Sequence, residues 1–376
     1  LIISSVFLFS FTYISCSKSS DDGSKSTDNT TTDNTTTSTG LFVTVGDSGT
    51  ILTSPDGTTW TKRTSGTSES LYEVTYGNGT FVTVGNTGTI LTSSDGTSWD
   101  NRTSGTTNYL TGVTYGNGTF VTVGGFLPSW VENNGIILTS SDGTSWDNRT
   151  SGTTKLLLGV TYGNSIFVTV GYNGTILTSS DGTTWTERTS GISKSLTGVT
   201  YGNGTFVTVG YTVSTSTSST TTTSSDNSSS DNSTTTSTTT TTTEKSTTTL
   251  TSSDGVTWTL RDSGTSNELR GSITYGNGLF VTVGWEGTIL TSSDGISWDN
   301  RTSGTSNTLQ GITYGNGLFV TVGESGTILT SSDGTSWTSR TSGTSNTLQG
   351  ITYGNSTFMT VGESGTILTS SDGTSW

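Results

Sequence analysis

The cations of this chain are few, and most are copies of one another. Eight of its 14 Lys and Arg residues are arginines, and Arg63, Arg102, Arg149, Arg188, Arg261, Arg301 and Arg340 each follow a tryptophan by three residues. Only Arg270 stands outside that series. Arginines converging from unequal positions would clamp a carboxylate through bidentate hydrogen bonds. Copies of one position instead serve the repeat that carries them, so these seven are expected to cover its edge. Glycoside hydrolysis would need two carboxylates about 5–10 Å apart, and Glu132, Glu268, Glu286, Glu324 and Glu363 occupy non-repeated positions. The sequence does not pair them. With no histidine and a single cysteine, Cys16, the chain holds no set for Ser-His, Cys-His or transition-metal chemistry. No cofactor and no metal site is expected.

The elements that would position such groups are short strands. The chain repeats the unit L-x-G-V-T-Y-G-N-G-T-F-V-T-V-G-x-x-G-T-I-L-T-S-S-D-G-T-S-W-x-x-R-T-S-G, and its motif tryptophans are Trp60, Trp99, Trp146, Trp185, Trp258, Trp298, Trp337 and Trp376. Their spacings are 39, 47, 39, 73, 40, 39 and 39 residues. A period near 40 with several strands per unit marks propeller blades. Each unit offers strand A (LTGVTYG), B (GTFVTVG), C (GTILTSS) and D (TSWDNRT), with Gly-Asn-Gly and Asp-Gly turns that favour hairpins. One four-stranded sheet buries neither face, so the units must stack around an axis. The predicted fold is an all-β propeller of seven or eight four-stranded antiparallel blades. Strand A is missing from the first unit, which opens at Leu41, and the last unit stops at Trp376. The sequence is therefore expected to be cut at both ends.

The motif S-S-D-G-T-S-W resembles the Asp box, or BNR repeat, of sialidase-like β-propellers, with one residue fewer between Asp and Trp. The resemblance covers residues 40–376. It implies that Asp56, Asp95, Asp142, Asp181, Asp254, Asp294, Asp333 and Asp372 are structural turn residues, and that each motif tryptophan wedges between sheets. One buried Trp would contribute about 4–5 kcal/mol as an upper bound. These aspartates lack the neighbouring oxygen donors of a calcium loop. The sialidase catalytic set is absent, because the arginines are copies and no Phe-Arg-Ile-Pro segment occurs.

Variation within the repeat separates structure from function. The B–C turns begin with Asp47, Asn86, Gly125, Tyr172, Tyr211, Trp285, Glu324 and Glu363, and the D–A loops carry Glu69, Asn108, Tyr109, Lys155, Lys194, Glu268, Arg270 and Asn307. Both connections emerge on one face of an up-and-down blade. Two insertions fall on the same face: GFLPSWVENN at 125–134 and a Ser/Thr tract at 211–249. Phe126, Trp130, Tyr172, Tyr211 and Trp285 are the candidate contacts for a partner. The 125–134 loop has two readings, a contact surface or a cover over the channel. The tract is expected to be a disordered insertion, with a glycosylated protrusion as its functional reading.

Residues 1–15 have the length and character of a signal-peptide remnant. Tyr13-Ile14-Ser15-Cys16 resembles a bacterial lipobox, which implies lipidation of Cys16 and a flexible tether over 16–39. Simple secretion is the alternative. A net charge of −14 argues against nucleic acid. The reading is a non-catalytic binding module of the cell envelope, lipid-anchored at the outer membrane or cell surface. It would recognise a protein or glycan through the B–C and D–A face. A sialidase-like glycosidase and a scaffold or assembly factor are the alternatives.

Overall fold

The computed structural model describes residues 16–18, 40–126, 135–224 and 234–376. They form an eight-bladed β-propeller. Blades 1 to 7 have four antiparallel strands in sequential order, and blade 8 has three. Blade 2 shows the pattern: strand A Leu71–Gly77, B Thr80–Gly85, C Ile90–Ser93 and D Asp100–Arg102. Blades 3 to 8 begin at Tyr109, Leu157, Ser195, Leu269, Leu309 and Leu348. Blade 1 comprises Cys16–Lys18, Phe42–Gly46, Thr50–Ser54 and Thr61–Arg63.

Strand B is the buried spine of each blade. Phe81, Val82 and Val84 are at most 2 % exposed, and so are their counterparts in blades 3 to 7. The threonine between the two valines is buried as well, which a hydroxyl tolerates only when it is hydrogen-bonded. The register supplies its partner. In blades 2 to 8 a bulge interrupts the A–B ladder two residues into strand A, as between Leu71 and Glu73. The bulged carbonyl loses its ladder donor, and the threonine hydroxyl replaces it. Thr83 donates to Glu73 O at 2.9 Å and Thr321 to Gly311 O at 2.8 Å, with the same bond in the other five blades.

The core lies between blades. Seven hydrophobic clusters each join one blade to the next, from Val43, Val45 and Ile51 of blade 1 with Leu71 and Phe81 of blade 2, round to Val320, Val322 and Ile328 with Leu348 and Phe358. The C–D turn adds a second seam of contacts. A methyl built on Gly57 of blade 1 would lie 3.3 Å from Thr357 Cγ2 of blade 8, so the ring closes on itself. The motif tryptophans contribute less burial than the Asp-box resemblance implies. Trp258 is buried, but the other seven are half-buried, each donating its indole N–H to the carbonyl of the turn glycine at 2.8–3.1 Å. They cap the clusters from the rim rather than filling them.

Two expectations change. The tether predicted from residue 16 begins instead with a paired strand, Cys16–Lys18, in register with Phe42–Thr44. Without strand A of its own repeat, the first unit leaves the edge of strand B open, and an extended segment satisfies its backbone groups. The Ser/Thr tract, expected to be disordered, continues strands B and C of blade 5 as Thr205–Ser224 and Thr234–Ser252. Their ladder runs from Phe206–Ser252 to Ser224–Thr234 without a register break. Threonine is β-branched and favours extended backbone, and the blade templates the register from below. The ribbon extends about 48 Å from Gly210 to Ser224, at roughly 3.4 Å per residue.

Candidate binding face

The individualised face is built from two loops that clasp each other. In six blades the B–C turn is a three-residue tight turn, Asp47–Gly49, Asn86–Gly88, Tyr172–Gly174, Trp285–Gly287, Glu324–Gly326 and Glu363–Gly365. In five of them the first N–H donates to the D–A loop carbonyl just before strand A, from Asn86 to Ser70, Tyr172 to Leu156, Trp285 to Glu268, Glu324 to Thr308 and Glu363 to Thr347, at 2.9–3.0 Å, whereas in blade 1 the Gly49 N–H donates to Glu69 O at 2.8 Å. The third residue must be glycine, because a Cβ on Gly88 would lie 2.0 Å from Thr106 O. The first two positions carry side chains in all six turns, and these vary. The middle residue sits at φ near +55°, and Thr87, a β-branched residue, adopts it at +56° with its hydroxyl donating to Glu69 Oε2 at 2.9 Å.

The candidate contacts distribute unevenly. Tyr172 and Trp285 open the B–C turns of blades 4 and 6 and are half-buried. Tyr211 lies between them on blade 5, inside the ladder opposite Ser195 and Thr247 rather than in a turn. Phe126 is exposed at 39 % at the end of strand B in blade 3. Trp130 lies outside the described residues, as does Glu132. Cys16 is described through its backbone, in the innermost strand of blade 1.

Two residues that sequence reasoning passed over belong to this face. Tyr72 stacks on Tyr109 of the next blade, with ring centroids 6.5 Å apart, and its hydroxyl donates to Asn86 Oδ1. Burial, and then Tyr109, Asp47 and Glu69, push the Tyr72 pKa up to about 12. Glu73 occupies the slot held by Gly112, Gly159, Gly198, Gly311 and Gly350 in other blades. Its Oε2 accepts the Val113 N–H of blade 3 at 2.8 Å, and burial pushes its pKa up to about 7. In blade 6 Ser272 Oγ takes the equivalent N–H of Ile312 at 3.0 Å. The signal was present in the sequence as variation at the second and third positions of strand A.

The opposite groups are uniform. Each copied arginine donates through Nε to a strand C threonine, from Arg63 on Thr53 at 2.7 Å to Arg340 on Thr330 at 2.9 Å. Arg102, Arg149 and Arg301 also pair with Asp100, Asp147 and Asp299 on their own strands. Each motif aspartate accepts two backbone N–H groups of its turn and a serine hydroxyl through Oδ1. Asp333, for example, takes Thr335, Ser336 and Ser331 at 2.8–2.9 Å. These bonds hold the eight carboxyls below the usual range. Among the described residues no three His, Cys, Asp or Glu side chains gather as metal ligands would.

No known protein family matches the sequence, and no curated protein matches it. Solved structures do resemble it. A computationally designed protein, Ika8, shares 12% identity over 88% of this chain and 92% of its own, with a TM-score of 0.63. YCF48 bound to D1 peptide shares 16% identity over 80% of this chain and 91% of its own, TM-score 0.54. YCF48 from Cyanidioschyzon merolae shares 16% over 80% and 94%, TM-score 0.52. At these identities the likeness is one of fold, and that fold is the β-propeller.

Proposed function

We propose that this propeller is a non-catalytic binding module or scaffold that holds a protein partner against its B–C and D–A face. The observation that carries the reading is the asymmetry between the two faces. The A–B and C–D turns repeat the same residues and bonds, whereas the clasped loops opposite present Tyr72 with Tyr109, Phe126, Tyr172 and Trp285 on an acidic ground of Asp47, Glu69, Glu324 and Glu363. Aromatic anchors ringed by polar groups are what protein interfaces concentrate. A structurally similar propeller has been solved with a peptide bound, which favours a polypeptide over a glycan. A glycan remains the second class of ligand, through stacking on the same rings. Enzymatic use is disfavoured by the arginines, each tied to a threonine of its own blade. The Asp-box relationship is supported by the repeated turn geometry. Placement in the cell envelope, with Cys16 lipidated, extends the reading from the residues around the cysteine.

The test is panning of the full chain against a displayed peptide library and a glycan array. Expected is a peptide ligand whose affinity falls at least tenfold with Trp285→Ala or Tyr172→Ala and is unchanged by Asn316→Gly in an A–B turn. A ligand equally insensitive to all three, or turnover of a glycoside panel, would overturn the proposal.

A further inference from the structure

The repeated face departs from its pattern in one sector. Among the described residues four large hydrophobic side chains are exposed, and three of them stand on the C–D hairpins of two neighbouring blades. They are Val256 at 46 % and Leu260 at 55 % in blade 5, and Ile296 at 46 % in blade 6. Val256 and Ile296 occupy the place that threonine holds in the D-G-T turns of the other six blades. Leu260 stands where other blades have Lys, Asn, Glu or Ser, as at Lys62, Asn101 and Glu187. Those blades form the same hairpin with polar residues, so folding does not call for aliphatic ones here.

The exchange alters the neighbouring carboxyls as well. Thr97 and Thr374 donate to Oδ2 of Asp95 and Asp372 at 2.5 and 2.6 Å, and the turn threonines of blades 1, 3, 4 and 7 also bond their aspartates. Valine and isoleucine have no hydroxyl. Asp254 and Asp294 keep their bonds through Oδ1, to the N–H groups of Val256 and Thr257 and of Ile296 and Ser297 at 2.7–3.0 Å, and Oδ2 loses its donor. The backbone bonds, Thr257 before Val256 and Ser297 before Ile296, hold both carboxyls below the usual range, so they stay ionised. Asp262, where other blades have threonine, and Asp299 add two more exposed carboxylates. The sector's arginines are already engaged, Arg261 on Thr251 and Arg301 on Thr291 and Asp299.

The two hairpins adjoin. A Cβ on Gly295 of the blade 6 turn would lie 2.8 Å from Val207 and 3.2 Å from Thr251 of blade 5, and Thr251 is the ladder partner of Thr259, beside Leu260. Leu260 in turn faces Leu250 across the ladder, and Leu250 shares a buried cluster with Trp258, the one motif tryptophan that is buried. The apolar seam of blades 4 and 5 therefore runs out to the surface at this point.

We infer that the C–D hairpins of blades 5 and 6 form a second docking surface, which takes a polypeptide segment carrying both aliphatic and basic side chains. Aliphatic groups of the segment cover Val256, Leu260 and Ile296. Lys or Arg heads reach Oδ2 of Asp254 and Asp294, with their stems lying along the valine and isoleucine. Apolar contact supplies affinity, and the carboxylates select a cationic partner. This surface lies opposite the aromatic loops proposed above, so neither result decides the other.

The experiment titrates the full chain with a fluorescent peptide, Lys-Leu-Arg-Leu-Lys-Leu-Arg-Leu, by anisotropy. The decisive variant combines Val256→Thr, Leu260→Asn and Ile296→Thr, residues that other blades already fold with, and it keeps the net charge at −14. Circular dichroism checks that it is folded. Expected are saturable binding and a loss of about tenfold or more in the triple variant. The same loss is expected when serine replaces the peptide leucines, and no saturation when glutamate replaces its Lys and Arg. Trp285→Ala should leave the affinity unchanged. Equal binding by the folded triple variant would reduce the attraction to net charge alone and overturn the inference. Absence of saturation, indifference to the peptide leucines, or a tenfold loss with Trp285→Ala would overturn it too.

Discussion

The junction of blades 7 and 8 and the junction of blades 8 and 1 are made from the same repeat, yet among the described residues the first is covered by a full strand A and the second by Cys16–Lys18. Between blades 7 and 8, Val322 and Ile328 are covered by Leu348 and by the Tyr353–Phe358 pair. Between blades 8 and 1, Val361 and Ile367 line a groove. The difference is one strand. Strand B and strand C hold a blade together, but strand A is what joins it to its neighbour, because its leucine and tyrosine both reach across. A propeller of near-identical repeats is therefore as strong at each junction as the strand A that enters it.

That contrast predicts unequal responses to identical changes. Leu329→Ala in blade 7, at a site 1 % exposed, should cost about 2–5 kcal/mol by loss of transfer energy and an unfilled cavity. Leu52→Ala, at the same position of blade 1 but half-buried, should cost about 1 kcal/mol or less, and denaturant midpoints measured side by side would show the ranking. Equal losses would mean that the seam is as well packed as the rest.

A sharper comparison uses a methyl group. Gly323→Ala places a Cβ 2.1 Å from Thr308 O and 3.0 Å from Leu309 Cα, so strand A must move, at about 1–3 kcal/mol. Gly46→Ala has the same extended backbone, φ −172° against −171°, and meets nothing within 4 Å among the described residues. Its melting temperature should stay within about 1–2 °C of the parent, on the order of 0.5 kcal/mol.

A pH-dependent comparison concerns Glu73, which joins blades 2 and 3 where most other blades have glycine. Its folded pKa, about 7, lies above the ordinary value of 4.5. The folded state therefore holds a proton that the unfolded chain releases, and stability falls as pH rises from about 4.5 to 7. Glu73→Gln should remove roughly 1–3 kcal/mol of that fall while keeping an acceptor for Val113 N–H. Thermal melts at pH 5 and pH 7.5 would show it as a lost pH dependence, and an unchanged slope would place the carboxyl in water.

The propeller was legible because the period, the Gly-Asn-Gly turns and the alternating apolar residues all describe one supersecondary unit. The division of faces was legible for the same reason, since eight copies act as their own alignment. Tyr72 and Glu73 were missed because the bulge that turns them towards the next blade is a register feature, set by pairing with Gly85 and Val84 and invisible in a single strand. The Ser/Thr tract was misjudged because low complexity argues against a core, yet a ribbon needs only a ladder.

By itself the sequence determined the blade: four strands, two hairpin turns, an aspartate that ties the C–D turn and an arginine that ties strand D to strand C. All are bonds between residues within about ten positions of each other, so local chemistry suffices. Only the tertiary structure decided that there are eight blades, that Cys16–Lys18 enters the first, and that blade 1 meets blade 8. Those outcomes depend on which strand A meets which neighbour, a matter of contacts between distant copies that identical local sequences cannot distinguish.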